Sequence, residues 1–270
     1  MRTRKIEPNT YMLTDALVHV NRFLLIGGER ALLLDTGYGE ESMTRRLRRL
    51  TGLPLVVANT HLHPDHSDGN KLFGEVFVGE ADLPCRGMPS NEMARSVASH
   101  FKSNTKVPRR IVDKVLNYGL IDTGTEKYSP MPDVFELGGR TIETLPCPGH
   151  TPGSTLFLDS AARCVFAGDA INPGFWAFTS PGLTLSGYAE LWLDLAARLD
   201  GYERIWISHH RHPLTIEWIG AFAAALKAAA PERSKPLDIV GGLPETVHIF
   251  KYDDEKFGAI RIFAYPSQMR

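Results

Sequence analysis

The sequence predicts an α/β protein, and three observations carry this prediction. Short apolar, β-branched runs that are typical of strands alternate along the chain with amphipathic helical patterns. Of the 270 residues, 43% are hydrophobic and 23% are charged, which is the composition of a globular protein and excludes disordered and fibrous classes. The pattern contains no internal repeat, low-complexity linker or clear domain boundary, so we expect one domain over residues 1–270.

The N-terminal part of the chain predicts a hairpin, a helix and two strands. Residues 22–35 contain two apolar runs joined by Gly27-Gly28-Glu29-Arg30, which is the signature of a β-hairpin. Between residues 40 and 50, apolar side chains recur three and four positions apart, so we expect an amphipathic helix whose arginines form a solvated face. Buried strands are expected at residues 53–60 and 76–78.

Strand and helix patterns resume after residue 140, where proline and glycine mark the loops. Alternating and apolar runs predict the strands, and longer periodic segments predict the helices. We expect strands at residues 140–145, 155–159, 163–167 and 205–207, helices at 188–199 and about 215–230, and a closing hairpin formed by 247–251 and 259–263.

The stretch at about residues 82–133 lacks strand patterning and predicts an insertion of loops and one or two helices. Its apolar residues, among them Met88, Phe101 and Ile111, are too numerous for a solvated loop. We therefore expect a helical lid that lines an apolar pocket beside the site. The alternative is that this stretch packs as core or as a contact in a homodimer.

Charge, hydropathy and cysteine usage exclude several classes of partner. Thirty basic and thirty-one acidic side chains give a net charge of -1, so no overall field gathers nucleic acid or an anionic membrane. No apolar run reaches the roughly 18 residues of a membrane span, and no apolar secretory signal follows the basic start. Three cysteines without CxxC spacing indicate free thiols. We expect a cytoplasmic protein that binds a small-molecule substrate and neither nucleic acid nor membrane.

Histidines and aspartates are concentrated where predicted strands end, which is where α/β sheets place their chemistry. Two histidines that are two positions apart at a strand exit can share one cation. Imidazole and carboxylate groups suit zinc, iron or manganese, and their number here exceeds the need of one four-coordinate ion. The sequence therefore predicts two divalent metal ions, with zinc preferred, near His61, His63, Asp65, His66, His150, Asp169 and the stretch Ser208-His209-His210-Arg211-His212.

Four motifs occur in a fixed order along the chain. They are Asp35-Thr36-Gly37, His61-Leu62-His63-Pro64-Asp65-His66, Pro148-Gly149-His150-Thr151-Pro152-Gly153-Ser154 and Ala167-Gly168-Asp169. Together they resemble the metallo-β-lactamase-fold superfamily of hydrolases over about residues 10 to 212. The resemblance implies a four-layer αββα sandwich with a binuclear metal site at one edge of its two sheets. It also implies a first metal held by His61, His63 and His150, a second held by Asp65, His66 and His209, and contact of Asp169 with both.

Three assignments near this site have alternatives. The last histidine is assigned to His209, but a slip of one residue would bring His210 to the metals, and His212 is also close in sequence. Asp35 either accepts a hydrogen bond from a ligand imidazole or only closes a strand. We expect Cys147 to pack as a buried thiol, with a thiolate ligand as the alternative.

Two-metal chemistry explains why these residue types occur together. Two cations about 3.5–4 Å apart hold a bridging water, lower its pKa and polarise the oxygen of the scissile group. Asp65 is the candidate catalytic residue, because it could orient the resulting hydroxide and pass a proton to the leaving group. The predicted function is hydrolysis of a small ester-like bond, such as a lactone, a thioester or a related acyl compound.

Two other functions of the same fold are the alternatives. A phosphodiesterase or nuclease is disfavoured by the near-neutral charge and by the lack of a basic and aromatic binding strip. An iron-dependent persulfide oxygenase is disfavoured because the similar enzymes use one metal, whereas seven candidate ligands occur here.

Two departures from related enzymes narrow the substrate class. The residues after His209 differ from the helical region of enzymes similar to glyoxalase II, which disfavours glutathione thioesters. No tyrosine closely follows Asp169, unlike in acyl-homoserine lactonases of the fold.

Overall fold

The computed structural model describes residues 1–15, 19–37, 39, 42–85, 127–180, 182–237 and 245–269. The described strands of the first part of the chain are β1 (Arg2–Glu7), β2 (Thr10–Thr14), β3 (Asn21–Ile26), β4 (Ala31–Leu34), β5 (Leu55–Ala58), β6 (Glu75–Val78) and β7 (Lys127–Pro130). Those that follow are β8 (Val134–Glu136), β9 (Thr141–Pro146), β10 (Thr155–Asp159), β11 (Cys164–Phe166), β12 (Gly174–Trp176), β13 (Arg204–Trp206), β14 (Leu214–Thr215), β15 (Lys235–Leu237), β16 (Val247–Asp254) and β17 (Gly258–Ala264).

The described α-helices are α1 (Ser42–Leu50), α2 (Pro64–Ser67), α3 (Leu185–Arg198) and α4 (Trp218–Ala228). Short 3-10 helices cover Asn70–Leu72, Glu80–Cys85, Pro231–Arg233 and Pro266–Met269. Within the described residues, no helix is long and apolar enough to cross a membrane.

The strands form three sheets. The first has the order β1-β2-β3-β4-β5-β6-β7, antiparallel up to β4 and parallel from β4 to β7. The second has the order β14-β13-β11-β10-β9-β8, with β11 and β13 parallel and the other neighbours antiparallel. The third, smaller sheet has the order β12-β17-β16-β15 and contains the predicted C-terminal hairpin as β16 and β17.

The two large sheets pack face to face with helices outside them. Side chains from both sheets, including Phe23, Phe157 and Phe166, form the apolar layer between them. Helix α1 buries Met43 and Leu47 against the outer face of the first sheet. Helices α3 and α4 cover the outer face of the second sheet, together with the third sheet. The four-layer αββα sandwich is therefore confirmed.

Parallel strand pairs bring the loops that carry the candidate metal ligands to one edge of the sandwich. The carboxyl ends of β4 and β5 lie side by side in the first sheet, and those of β11 and β13 lie side by side in the second. Hydrogen bonds from Thr155 N to Thr60 O (2.9 Å) and from Asn21 N to Ser208 O (2.8 Å) join the two sheets at this edge. Loops from both sheets therefore converge on one place.

The predicted elements are found within a few residues of their expected positions, with exceptions at the sheet margins. The chain around residues 127–133 is not a plain loop, because β7 pairs in parallel with β6 at the margin of the first sheet. Strands β1, β2, β8, β12, β14 and β15 also lie outside the predicted set. The helical lid is expected at about residues 82–133, and residues 86–126 of that stretch lie outside the described residues, so the lid stays a prediction.

Candidate metal centre

The His61–His66 stretch owes its shape to the short helix that follows β5. Pro64 occupies the first turn of α2, and the amide of His66 donates to the carbonyl of His63 (2.9 Å). The carbonyl of His66 in turn accepts from Thr36 N (2.8 Å) and Asn59 Nδ2 (3.0 Å). One tight turn thus presents three imidazoles and one carboxylate at the edge of the sheets.

The other candidate ligands arrive from three separate loops of the second sheet. His150 follows β9, Asp169 follows β11 and His209 follows β13. Gly168, just before Asp169, has a φ of +54°, and a Cβ there would lie 2.3 Å from Thr60 Oγ1. Only glycine permits this close approach, which brings the Asp169 loop up to the His61 loop.

Three histidines form the first group of candidate ligands, which we call the three-histidine group: His61, His63 and His150. Their ligating atoms lie within 4.8 Å of one another. The Nδ1 atom of His63 lies 3.0 Å from Nε2 of His61 and 2.9 Å from Nε2 of His150. Burial lowers the pKa of all three imidazoles, that of His150 to about 3, so they are neutral near pH 7.

The hydrogen bonds behind this group orient two of its rings. Thr60 donates its hydroxyl proton to Asp35 Oδ2 (2.9 Å), so it can only accept from Nδ1–H of His61 (3.1 Å). The carbonyl of Trp176 accepts from Nδ1–H of His150 (2.9 Å). The Nε2 atoms of His61 and His150 therefore both point lone pairs at Nδ1 of His63.

A cation fits the three-histidine group better than hydrogen bonds do. A neutral imidazole carries one N–H, so Nδ1 of His63 can donate to at most one of the two lone pairs that face it. At least one close nitrogen pair thus has no proton between its atoms. A divalent cation accepts all three lone pairs at once.

The second group, which we call the carboxylate group, combines charges of both signs: Asp65, His66, Asp169 and His209. Nε2 of His209 lies 3.1 Å from Asp169 Oδ2 and 3.4 Å from Asp65 Oδ2. Nε2 of His66 lies 3.5 Å from the same two oxygens. His66 Nε2 and Asp169 Oδ1 are buried without a hydrogen-bond partner among the described residues, which fits atoms arranged to bind metal.

Electrostatics in the carboxylate group are set by these short distances. Burial would raise the pKa of Asp65 and of Asp169, but the neighbouring His66 and His209 hold both well below the usual range. Burial would lower the pKa of His209, but Asp169 and Asp65 raise it to about 10. Without a metal, protonated imidazoles therefore balance the carboxylates.

Asp35 orients the carboxylate group from behind. Its Oδ2 atom accepts from Nδ1–H of the buried His66 at 2.8 Å, and its Oδ1 atom accepts from Thr60 N at 2.7 Å. The other ring nitrogen of His66 then faces Asp65 and Asp169. The predicted hydrogen bond from a candidate ligand imidazole to Asp35 is present.

The positions of the side chains decide between His209 and His210 as the last candidate ligand, and between a packed thiol and a metal ligand for Cys147. His210 is exposed, and its Nδ1 atom lies 2.9 Å from the carbonyl of His212 rather than near the carboxylates. Cys147 is buried, with Sγ 3.8 Å from the hydroxyl of Tyr188, and burial raises the pKa of its thiol to about 12. The structure thus brings His209 to the site and leaves Cys147 as a packed thiol.

Two supporting residues escape sequence reasoning. Tyr188 lies behind two ligand loops, since its hydroxyl donates to Ala170 O and a Cβ at Gly149 would lie 2.0 Å from its ring. Asp82 accepts hydrogen bonds from the loops that carry His61 and His150. Neither residue lies in a local motif, and each acts on segments that are distant in sequence.

Comparison with known proteins agrees with this architecture. The family model of the metallo-beta-lactamase superfamily matches residues 16–209. A metallo-beta-lactamase from Pontibacter korlensis has a TM-score of 0.56 and 17% identity, with coverage of 84% of this chain and 99% of that one. A metallo-beta-lactamase family protein from Thermus thermophilus has a TM-score of 0.55 and 22% identity, with coverage of 85% and 84%. These likenesses concern the fold.

Curated relatives include an acyl-coenzyme A thioesterase, MBLAC2. The Gallus gallus protein is 29% identical over 183 residues, which is 62% of this chain and 63% of that protein. The Homo sapiens protein is 27% identical over 191 residues, which is 62% of this chain and 64% of that protein. This chain thus spans less than two thirds of the length of these relatives. On the match to residues 16–209 and the shared fold, the chain belongs to the metallo-beta-lactamase superfamily.

Proposed function

We propose that this protein is a binuclear metal-dependent hydrolase that cleaves acyl thioesters, with acyl-coenzyme A as the substrate class. The observation that carries the proposal is the pair of adjoining ligand groups, in which Asp169 Oδ2 lies 3.1 Å from Nε2 of His209 and 3.9 Å from Nε2 of His150. The three-histidine group would hold one divalent ion and the carboxylate group the other, with Asp169 between them. When bound, two such ions supply Lewis acidity and lower the pKa of coordinated water.

Asp65 is the proposed catalytic residue. Its side chain keeps 21% of its surface exposed, and a carboxylate is ionised near pH 7, so Asp65 can accept a proton. In thioester hydrolysis the oxygen of water bonds to the acyl carbon, and the bond from carbon to sulfur breaks. Asp65 would take a proton from the attacking water and return it to the departing sulfur, giving a carboxylic acid and a thiol.

The approach to the site supports a substrate that carries negative charge. His209 keeps 30% of its side chain exposed, and the exposed Arg211 follows it by two residues. The guanidinium of Arg4 lies 5.7 Å from the ring centre of Trp206 and donates to the carbonyl of Arg211. Arg211 lies on the loop that carries His209 and Arg4 contacts that loop, and from there the two arginines could attract the phosphates of coenzyme A.

The test is a substrate panel on the metal-loaded protein. We expect kcat/KM to be higher for acyl-coenzyme A than for a lactone, for a phosphodiester and for the same acyl group on pantetheine. Arg211→Ala should raise KM for acyl-coenzyme A about tenfold and leave the pantetheine thioester unchanged. The matched control is Arg48→Ala on the outer helix α1, which should change neither. Preference for the phosphodiester, or hydrolysis of no thioester, would overturn the proposal.

A further inference from the structure

A buried carboxylate outside both ligand groups contacts the loops that carry the three histidines. Asp82 lies in the 3-10 helix Glu80–Cys85 after β6 and is 1% exposed. Its Oδ2 atom accepts from the backbone amide of Leu62 at 3.0 Å and from the hydroxyl of Thr151 at 2.8 Å. Its Oδ1 atom accepts from the amide of Gly153 at 2.6 Å.

These partners connect two ligand loops that follow strands of different sheets. Leu62 lies between His61 and His63, and Thr151 directly follows His150. We propose that Asp82 is a positioning residue that fixes the separation of these two loops, and thereby the geometry of the three-histidine group. The proposal rests on the metal centre proposed above.

The surroundings of Asp82 show that the chain is shaped to admit this contact. A Cβ at Gly153 would lie 2.6 Å from the carboxyl carbon of Asp82, and a Cβ at Gly79 would lie 2.0 Å from the carbonyl of Gly153. Glycine at both positions lets the end of β6 and the His150 loop approach closely. A side chain at either position would separate the carboxylate from its donors.

The donor set favours a carboxylate over an amide. All three partners donate, and a carboxylate offers only acceptor atoms, so one side chain satisfies them together. An asparagine has one acceptor oxygen and a nitrogen that donates. In one orientation the nitrogen of the asparagine would face the Gly153 amide, and in the other it would face Leu62 N and Thr151 Oγ1. Either way, at least one backbone amide would lose its acceptor.

The contact is selective for one half of the site. The hydrogen bonds of Asp82 reach Leu62, Thr151 and Gly153, whereas the ring of His66 is held by Asp35. Loss of the hydrogen bonds to Asp82 should therefore lower the affinity of the three-histidine group for its metal ion and leave the affinity of the carboxylate group unchanged. A residue that only stabilised the fold would affect both ions, or neither.

The experiment measures metal affinity directly. Metal-free wild type, Asp82→Asn and Thr151→Val are titrated with cobalt(II), with visible absorption and competition by a chelator as readouts. We expect Asp82→Asn to weaken one of two binding steps about 10- to 100-fold, as is typical when a residue behind a ligand is changed, and to leave the other step within threefold. Thr151→Val should reproduce part of the loss, and Thr151→Ser should restore most of it.

Asp159→Asn is the matched control. Asp159 is also fully buried. Its carboxylate accepts from Arg140 Nε (3.0 Å) and from the amide of Ala162 (3.1 Å), which lies in the turn between β10 and β11. This variant should lower the melting temperature without changing either cobalt step. If Asp82→Asn does not fold, comparison of Thr151→Val with Thr151→Ser provides the test instead.

The outcomes separate the two proposals. If wild type binds fewer than two cobalt ions, the binuclear centre fails and the role of Asp82 fails with it. If wild type binds two ions and both Asp82→Asn and Thr151→Val bind them with wild-type affinity, Asp82 has no positioning role while the metal centre stands. Equal weakening of both steps in Asp82→Asn would also overturn the positioning role.

Discussion

The two ligand groups differ in charge, and the difference shows what each requires. The three-histidine group is neutral, because burial lowers the pKa of its imidazoles, and it leaves nitrogen lone pairs facing one another. The carboxylate group balances its own charge, because Asp169 and Asp65 raise the pKa of His209 against the effect of burial. The first group needs a cation to satisfy its lone pairs, whereas the second must exchange protons for a cation.

The two aspartates behind the groups differ in reach. Asp35 accepts from His66 Nδ1 and also from Thr60, whose hydroxyl contacts His61, so it supports the carboxylate group directly and the three-histidine group through Thr60. Among the described residues, Asp82 accepts only from the loops that carry His61, His63 and His150. The predictions below test that difference, beginning with the residue that contacts both groups.

Asp169→Ala should have the largest effect, because Oδ2 of Asp169 lies within 3.9 Å of imidazoles from both groups. We expect the metal content to fall from two ions to about one, and kcat/KM to fall about 10³-fold, as for loss of several kcal/mol of charge stabilisation. Elemental analysis and steady-state kinetics measure both. Asp194→Ala, an exposed carboxylate on α3, is the control. An active, fully metallated Asp169→Ala protein would show that the groups share no ligand.

His209→Ala should act on the carboxylate group alone. Its imidazole lies 3.1 Å from Asp169 Oδ2 and 3.4 Å from Asp65 Oδ2, so its removal should cost one metal ion and about 100-fold in kcat/KM. His210→Ala should stay within about twofold of wild type, since that ring is exposed and bonded to His212 O. If His210→Ala is the severe variant, His209 is not the last ligand.

Local sequence patterns suffice for the central strands of the two large sheets, for helices α1, α3 and α4 and for the ligand motifs, because each depends on neighbouring residues. The His61–His66 stretch is one turn, so spacing alone places its side chains together. Two of the strands that were not predicted show why. Strand β1 lacks an apolar run because half of its residues are exposed, and the three-residue strand β12 forms only through a distant partner. Strand β12 pairs with β17, whose residues lie more than eighty positions further along the chain.

Residues that support the ligand loops can likewise be predicted only when they lie in a local motif. The sequence offers the role of Asp35 as one of two alternatives, because this residue closes a strand within one of the four motifs. Asp82 could not be assigned, since its partners Thr151 and Gly153 are 69 and 71 positions away. Tyr188 likewise acts on Ala170 and Gly149 from another element. A positioning residue has no sequence signature when its partners come from other strands.

Asp35→Asn should weaken binding of the metal ion of the carboxylate group about 10- to 100-fold, because one amide oxygen cannot accept from His66 Nδ1 and Thr60 Oγ1 on one side and from Thr60 N on the other. Asparagine tolerates the φ of +63° at this position, so the backbone should keep its shape. Cobalt(II) titration beside Asp82→Asn measures the effect. Asp35→Asn should weaken the binding step of the carboxylate group more than the other step, and Asp82→Asn should do the reverse. A larger loss at the same step in both variants would refute the different roles of the two aspartates.

Cys147→Ser should have the smallest effect, although Cys147 is only three residues before His150. The thiol is buried, and burial raises its pKa to about 12, so it is protonated near pH 7 and is a poor metal ligand. A serine hydroxyl could bond the Tyr188 hydroxyl, which lies 3.8 Å from the sulfur. We expect two metal ions, kcat/KM within about twofold of wild type, and a melting temperature lower by about 2–4 °C, as for loss of about 1 kcal/mol.

Cys164→Ser provides the comparison, because Cys164 is an equally buried thiol in β11, between the two large sheets. Burial raises the pKa of its thiol as well, to about 11. If packing is the whole role of both thiols, the two variants should lose similar stability and keep both metal ions. Loss of a metal ion in Cys147→Ser but not in Cys164→Ser would make Cys147 a ligand, and the first group would then no longer consist of three neutral imidazoles.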